Sequence, residues 1–185
     1  MTKTLIIHPL DSSTDFLKPI YAKVSNSTII TSGNRKQVNK EITKHDRIMM
    51  MGHGSPWGLF SVGQFTGIEG KHNGYVIDHD TVSLLRDKEN MFIWCNADRF
   101  VNRYELSGFY SGMFISEVGE AYTCGLPKTS QDVVDESNNT FAELLGGVIN
   151  KSITEAYLHT KYYYEQLAEV NTVAEYNVQR LYLAG

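Results

Sequence analysis

Three features of the sequence predict an α/β protein, a three-layer sandwich with a mainly parallel sheet of about six strands flanked by helices. Apolar, β-branched runs alternate with helix-like stretches over the first half, as strands buried on both faces require. The strongest runs end in glycine or polar clusters, which stop a strand. Two amphipathic helical patterns follow toward the carboxyl end. With 185 residues, 42% of them hydrophobic, the chain suffices for one substantial core. It carries no internal repeat, low-complexity tract or linker, so residues 1–185 are expected to form a single domain.

Thr4–His8 (TLIIH) reads as the first strand. Pro9 breaks it, and the Asp-Ser-Ser cluster that follows offers an N-cap for a helix over about residues 13–23. Thr28–Thr31 (TIIT) is a second strand, stopped by Ser32-Gly33-Asn34, and residues 35–44 make a polar helix. Arg47–Met51 (RIMMM) is a third strand running straight into Gly52-His53-Gly54. Asn73-Gly74, between Lys71-His72 and Tyr75-Val76-Ile77, has the form of a hairpin turn. Asp78–Arg86 reads as a short capped helix and Met91–Trp94 (MFIW) as a fourth strand that delivers Cys95. After it come a polar loop, Asn96–Ser107, and two further strand candidates, Gly112–Ser116 (GMFIS) and Ala121–Cys124 (AYTC). Phe141, Leu144, Leu145, Val148 and Ile149 repeat at helical spacing, as do Ile153, Tyr157, Thr160, Tyr164 and Leu167, and Leu181–Leu183 forms a short last strand. Tyr162, Tyr163 and Tyr164 straddle the second helix, with one ring expected inside and two outside, where exposed rings also suit contact with a second copy.

Composition removes several classes of function. An aromatic fraction of 11% and a charged fraction of 21% exclude a disordered chain, and no apolar run approaches the roughly 20 residues that span a bilayer. The net charge is −4 with a pI near 5.8, and the basic residues are scattered. Arg35, Lys36, Lys40 and Lys44 read as the wet face of a helix, so nucleic acid is not an expected partner. The opening MTKTLIIHPL is too short in its apolar run for a secretory signal, and with only two cysteines a reducing, cytoplasmic setting is expected. Neither a metal nor another cofactor is expected. His53, His72, His79, Cys95 and Cys124 contain no ligand pair two to five residues apart, and the glycines after residue 51 lack the Lys-Ser/Thr of a phosphate loop.

Seven of the 15 glycines fall between Gly52 and Gly74, around His53. In open α/β sheets functional groups collect at the carboxyl ends of strands. Two such ends carry reactive side chains: Met-Met-Met-Gly52-His53-Gly54-Ser55 and Phe-Ile-Trp-Cys95-Asn96. A thiol is a nucleophile as thiolate, and a neighbouring imidazole can take its proton. The amides of Gly54 and Cys95 would then face a developing oxyanion. Cys124 lies in an apolar stretch and reads as core, and His8 at the first strand end reads as structural.

The order of a hydrophobic strand, Gly52-His53-Gly54-Ser55, a spacer, a second hydrophobic strand and Cys95 resembles the caspase-like (clan CD) cysteine peptidases. Gly-His-Gly-Ser is most similar to the separase, CHAT and legumain forms, and the likeness covers about residues 46–125. The resemblance implies a caspase-like fold and cysteine-type hydrolysis of peptide bonds in a peptide or protein substrate. It implies that Cys95 is the nucleophile, that His53 assists it, and that the Gly54 and Cys95 amides form the oxyanion hole. It also implies that loops carrying Asp98, Glu117 and Glu120 line the pocket for the residue before the scissile bond, favouring Arg or Lys there. The rival expectation, from a different class, is a catalytically inactive caspase-like fold that binds a ligand or a protein.

Overall fold

The computed structural model describes residues 2–66 and 74–185. The chain runs through β1 (Thr4–Ile7), a 3-10 turn (Ser12–Leu17), α1 (Lys18–Tyr21), β2 (Ser27–Ile30), β3 (Ser32–Asn34), α2 (Arg35–Ile42) and β4 (Arg47–Met51). Short strands β5 (Gly54–Ser55), β6 (Gly58–Phe60), β7 (Gln64–Thr66) and β8 (Tyr75–Ile77) precede a second 3-10 turn (His79–Thr81) and α3 (Val82–Leu85). Then come β9 (Glu89–Ile93), α4 (Ala97–Tyr104), β10 (Gly108–Ser111), α5 (Val118–Thr123), α6 (Gln131–Val148), α7 (Ile153–Ala168), α8 (Thr172–Val178) and β11 (Leu181–Ala184).

Six strands form the main sheet in the order β11-β10-β9-β4-β1-β2, parallel throughout except for β11, which pairs antiparallel with β10. Helices cover both faces, and the alternation of strand side chains assigns each residue to one of them. Ile6, Met49, Met51, Met91 and Ile93 pack with Ile20 of α1 and with Phe141, Leu145 and Tyr164 of α6 and α7. Leu5, Ile7, Ile48, Met50, Phe92 and Trp94 pack on the other face with Val38 and Ile42 of α2, Leu85 of α3 and Phe100 of α4. The three-layer α/β expectation therefore holds, including the single buried and two exposed rings among Tyr162–Tyr164. No helix among the described residues is long and apolar enough to cross a membrane.

Several boundaries differ from the sequence expectation. The strand sought in Gly112–Ser116 is Gly108–Ser111 instead, registered through Phe109 on Met91. Gly108, at φ +139°, starts it because a side chain there would collide with the Asn90 carbonyl. Ala121–Cys124 is the end of a helix and its cap, not a strand, and Glu120 in the first turn accepts from the backbone N–H and hydroxyl of Ser116. The expected loop Asn96–Ser107 contains α4, whose Ala97, Phe100 and Val101 bury one stripe. The helix read over residues 13–23 is a 3-10 turn capped by Asp11 and followed by one turn of α-helix. The hairpin read at Asn73-Gly74 lies largely outside the described residues. Gly74 itself has φ +81°, and its carbonyl accepts from the Ser61 N–H.

Candidate active site

β4 and β9 are neighbours, and their ladder fixes which side chains meet. Arg47 pairs with Glu89 and Met51 with Ile93, a constant offset of 42 residues. The Gly52 N–H continues the ladder by donating to the Ile93 carbonyl at 3.1 Å. His53 and Cys95 each follow the last paired residues, Met51 and Ile93, by two positions, just beyond the end of the ladder. β1 lies on the other side of β4 and has β2 as its far neighbour, so the chain's progress across the sheet reverses between β1 and β4. Such a switch point opens a crevice at the carboxyl ends of the strands. The loops bearing Asp11–Thr14, His53 and Cys95 meet there.

His53 and Cys95 line one narrow cavity of about 20 Å³, walled by Phe16, Leu17, Trp94 and Phe114. The neighbouring Trp94 places its indole in the opposite core layer and donates Nε1–H to the Ser55 carbonyl. The Cys95 thiol donates to the Phe114 carbonyl at 3.4 Å and lies 3.9 Å from Glu120 Oε1. Burial, with the Glu120 charge next in weight, pushes this thiol up to about 12. A thiol so placed is almost wholly protonated at neutral pH. The His53 ring is anchored from β1's loop: Nε2 lies 2.7 Å from Ser13 Oγ and 3.5 Å from Asp11 Oδ1.

The remaining expected site residues are distributed differently. Gly54 lies in β5 with its Cα against the Trp94 indole, where a Cβ would collide, and the glycine that lines the cavity is Gly52. Asp98 sits in the first turn of α4 with Oδ1 buried. Glu120 is engaged at both carboxylate oxygens, by Ser116 and by the thiol. Glu117 is exposed and lines a second cavity of about 470 Å³, which shares the Phe16 and Ser116 walls with the first. Asp135 and Asn138 of α6 line it too.

No protein-family model matches this chain, and no curated protein matches it.

Asp11, Ser13, Phe114 and Asp135 belong to this site and were not singled out in the sequence. The available signal was the Asp-Ser-Ser cluster: it follows β1 and caps the next turn, and a polar cluster just past a strand beside the His-bearing strand can supply a partner for that histidine. His8 has the structural role expected of it. It is fully buried between Tyr21 Oη, 2.9 Å from Nδ1, and Thr14 Oγ1, 3.0 Å from Nε2, and burial lowers it to about 4. Away from the crevice, Asp78, His79 and Asp80 bring ligand-type atoms within 4.8 Å of one another. The Arg35 guanidinium pairs with both carboxylates, so a positive charge is already built into that cluster.

Proposed function

We propose that this protein is a cysteine hydrolase of caspase-like type that cleaves peptide bonds, with Cys95 as nucleophile and His53 as general base and acid. The observation that supports the reading is that His53 and Cys95, each two residues beyond the paired ends of adjacent strands, line one cavity. In the reaction His53 takes the thiol proton, the thiolate adds to the scissile carbonyl carbon, and the C–N bond breaks as His53 returns the proton to the leaving amine. Water then hydrolyses the thioester with His53 again as base. The Cys95 backbone amide is the natural donor to the oxyanion, since it moves with the nucleophile.

In its substrate-free form the thiol is held protonated against Phe114 and Glu120, in a cavity too small for a peptide segment. Substrate must part the Phe16 and Phe114 walls, which stack at 6.4 Å between ring centroids. The wider cavity beyond them, bordered by Glu117 and Asp135, suits a basic residue before the scissile bond. The same protonated thiol favours a second reading, a caspase-like fold that binds a ligand or protein without catalysis.

A panel of fluorogenic peptides varied at the residue before the scissile bond separates the two. The hydrolase reading expects turnover, highest after Arg or Lys and abolished in both Cys95→Ala and His53→Ala. Turnover that survives Cys95→Ala, or none with any peptide together with Cys95 alkylation no faster than a free thiol and unaffected by His53→Ala, removes it.

A further inference from the structure

Asp11 Oδ1 accepts from the Ser13 backbone N–H at 3.0 Å and lies 2.6 Å from Ser13 Oγ. A carboxylate oxygen only accepts, so the one hydroxyl proton of Ser13 belongs on that side. Turned the other way, the hydroxyl would set a lone pair against a carboxylate oxygen at 2.6 Å. Ser13 Oγ then has only acceptor capacity left for His53 Nε2 at 2.7 Å, and the proton in that contact must be the ring's. The hydrogen bonds from Ser13 also hold the Asp11 carboxyl below the usual carboxylate range, which keeps it ionised and accepting.

We infer that Asp11 and Ser13 are positioning residues that hold neutral His53 as its Nε2–H tautomer and leave Nδ1 as the ring's only lone pair. The next residue repeats the device. Thr14 Oγ1 donates to the Asp11 carbonyl at 2.9 Å and so accepts from His8 Nε2, while Tyr21 donates to His8 Nδ1. One 3-10 turn thus sets the tautomers of two imidazoles.

The catalytic consequence rests on the hydrolase reading: a proton leaving Cys95 goes to Nδ1, and the imidazolium that forms keeps Nε2–H on Ser13 with the Asp11 charge 3.5 Å away. The tautomer itself does not depend on that reading.

Two-bond ¹⁵N–¹H correlation of the imidazoles, with His8 assigned through His8→Gln, reads the tautomer directly in the wild-type chain above neutral pH. The expected spectrum shows His53 protonated at Nε2 alone. Ser13→Ala is expected to convert it to a tautomer mixture, and Ser13→Thr to restore the wild-type pattern. A wild-type His53 that is protonated at Nδ1, or already mixed, overturns the inference without needing any variant to fold. So does a Ser13→Ala protein with intact His8 signals and an unchanged His53. An Nε2–H tautomer in a chain that cleaves no peptide would leave this inference standing and count against hydrolysis alone.

Discussion

Replacing Glu120 by Gln should make Cys95 more reactive, and the size of the effect follows from the geometry. Gln keeps an oxygen to accept from Ser116 N–H and Oγ, so those bonds remain while the charge 3.9 Å from the sulfur disappears. Two unit charges about 4 Å apart interact by about 1 kcal/mol in water and about 4 kcal/mol at an effective dielectric of 20. Glu120 is half-buried, so a value of about 1–3 kcal/mol is appropriate, which lowers the thiol by about one to two pH units. Burial, the larger cause, is untouched, so the thiol stays above its ordinary value. The thiolate fraction at pH 8 rises about 10- to 100-fold, but nucleophilicity falls with basicity with a Brønsted coefficient of about 0.4–0.5, leaving a net gain of about three- to tenfold. Iodoacetamide labelling at pH 8, followed by mass spectrometry of the Cys95 peptide with the Cys124 peptide resolved separately, measures it. An unchanged or slower Cys95 rate in a folded Glu120→Gln protein would refute the role assigned to the carboxylate.

Three further outcomes are expected. His8, at about 4 in the folded chain against 6.5 unfolded, contributes stability that is present above pH 6.5 and lost as pH falls toward 4. The loss is about 3 kcal/mol, and urea titrations across that window should show it in the wild type and not in His8→Gln. Gly54→Ala drives a methyl group into the Trp94 indole and the Gly58 carbonyl, and calorimetry should find a loss of about 1–3 kcal/mol; a wild-type melting temperature would mean the packing there is loose. Asn177→Leu strands the buried N–H and carbonyl of Ile115, which Asn177 bonds at 2.7 and 2.9 Å, and should cost at least about 2 kcal/mol in a denaturant titration.

The parts of the fold legible in the sequence are those governed by continuous burial. RIMMM is a strand at the expected bounds because all five residues are enclosed, and the α6 and α7 patterns are long enough for their periodicity to be unambiguous. Gly112–Ser116 and Ala121–Cys124 were misread because a short apolar run has the same appearance in a strand, a turn or a buried helix stripe. Here β10 took its register from Met91, and Ala121 of the helix is buried against Ile115, Val134 and Val173. α8, at seven residues, is too short for its periodicity to stand out, and it is fixed by Asn171, which caps it and reaches back to the Val133 carbonyl. At the site, His53 and Cys95 were visible because strand ends are visible. The contacts of Ser13 with His53 and of Glu120 with Cys95 were not, since they join residues 40 and 25 positions apart in sequence.

The β4–β9 ladder holds the two strand ends that lead to His53 and to Cys95 side by side through backbone pairing. A change of length at an exposed point of the connection, such as Gly74, would leave the pairing of Met51 with Ile93 in place. Moving the cysteine by a single position along its own strand has the opposite effect. The thiol would be carried through the sheet into the aromatic layer of Phe92, Trp94 and Phe100, out of reach of His53.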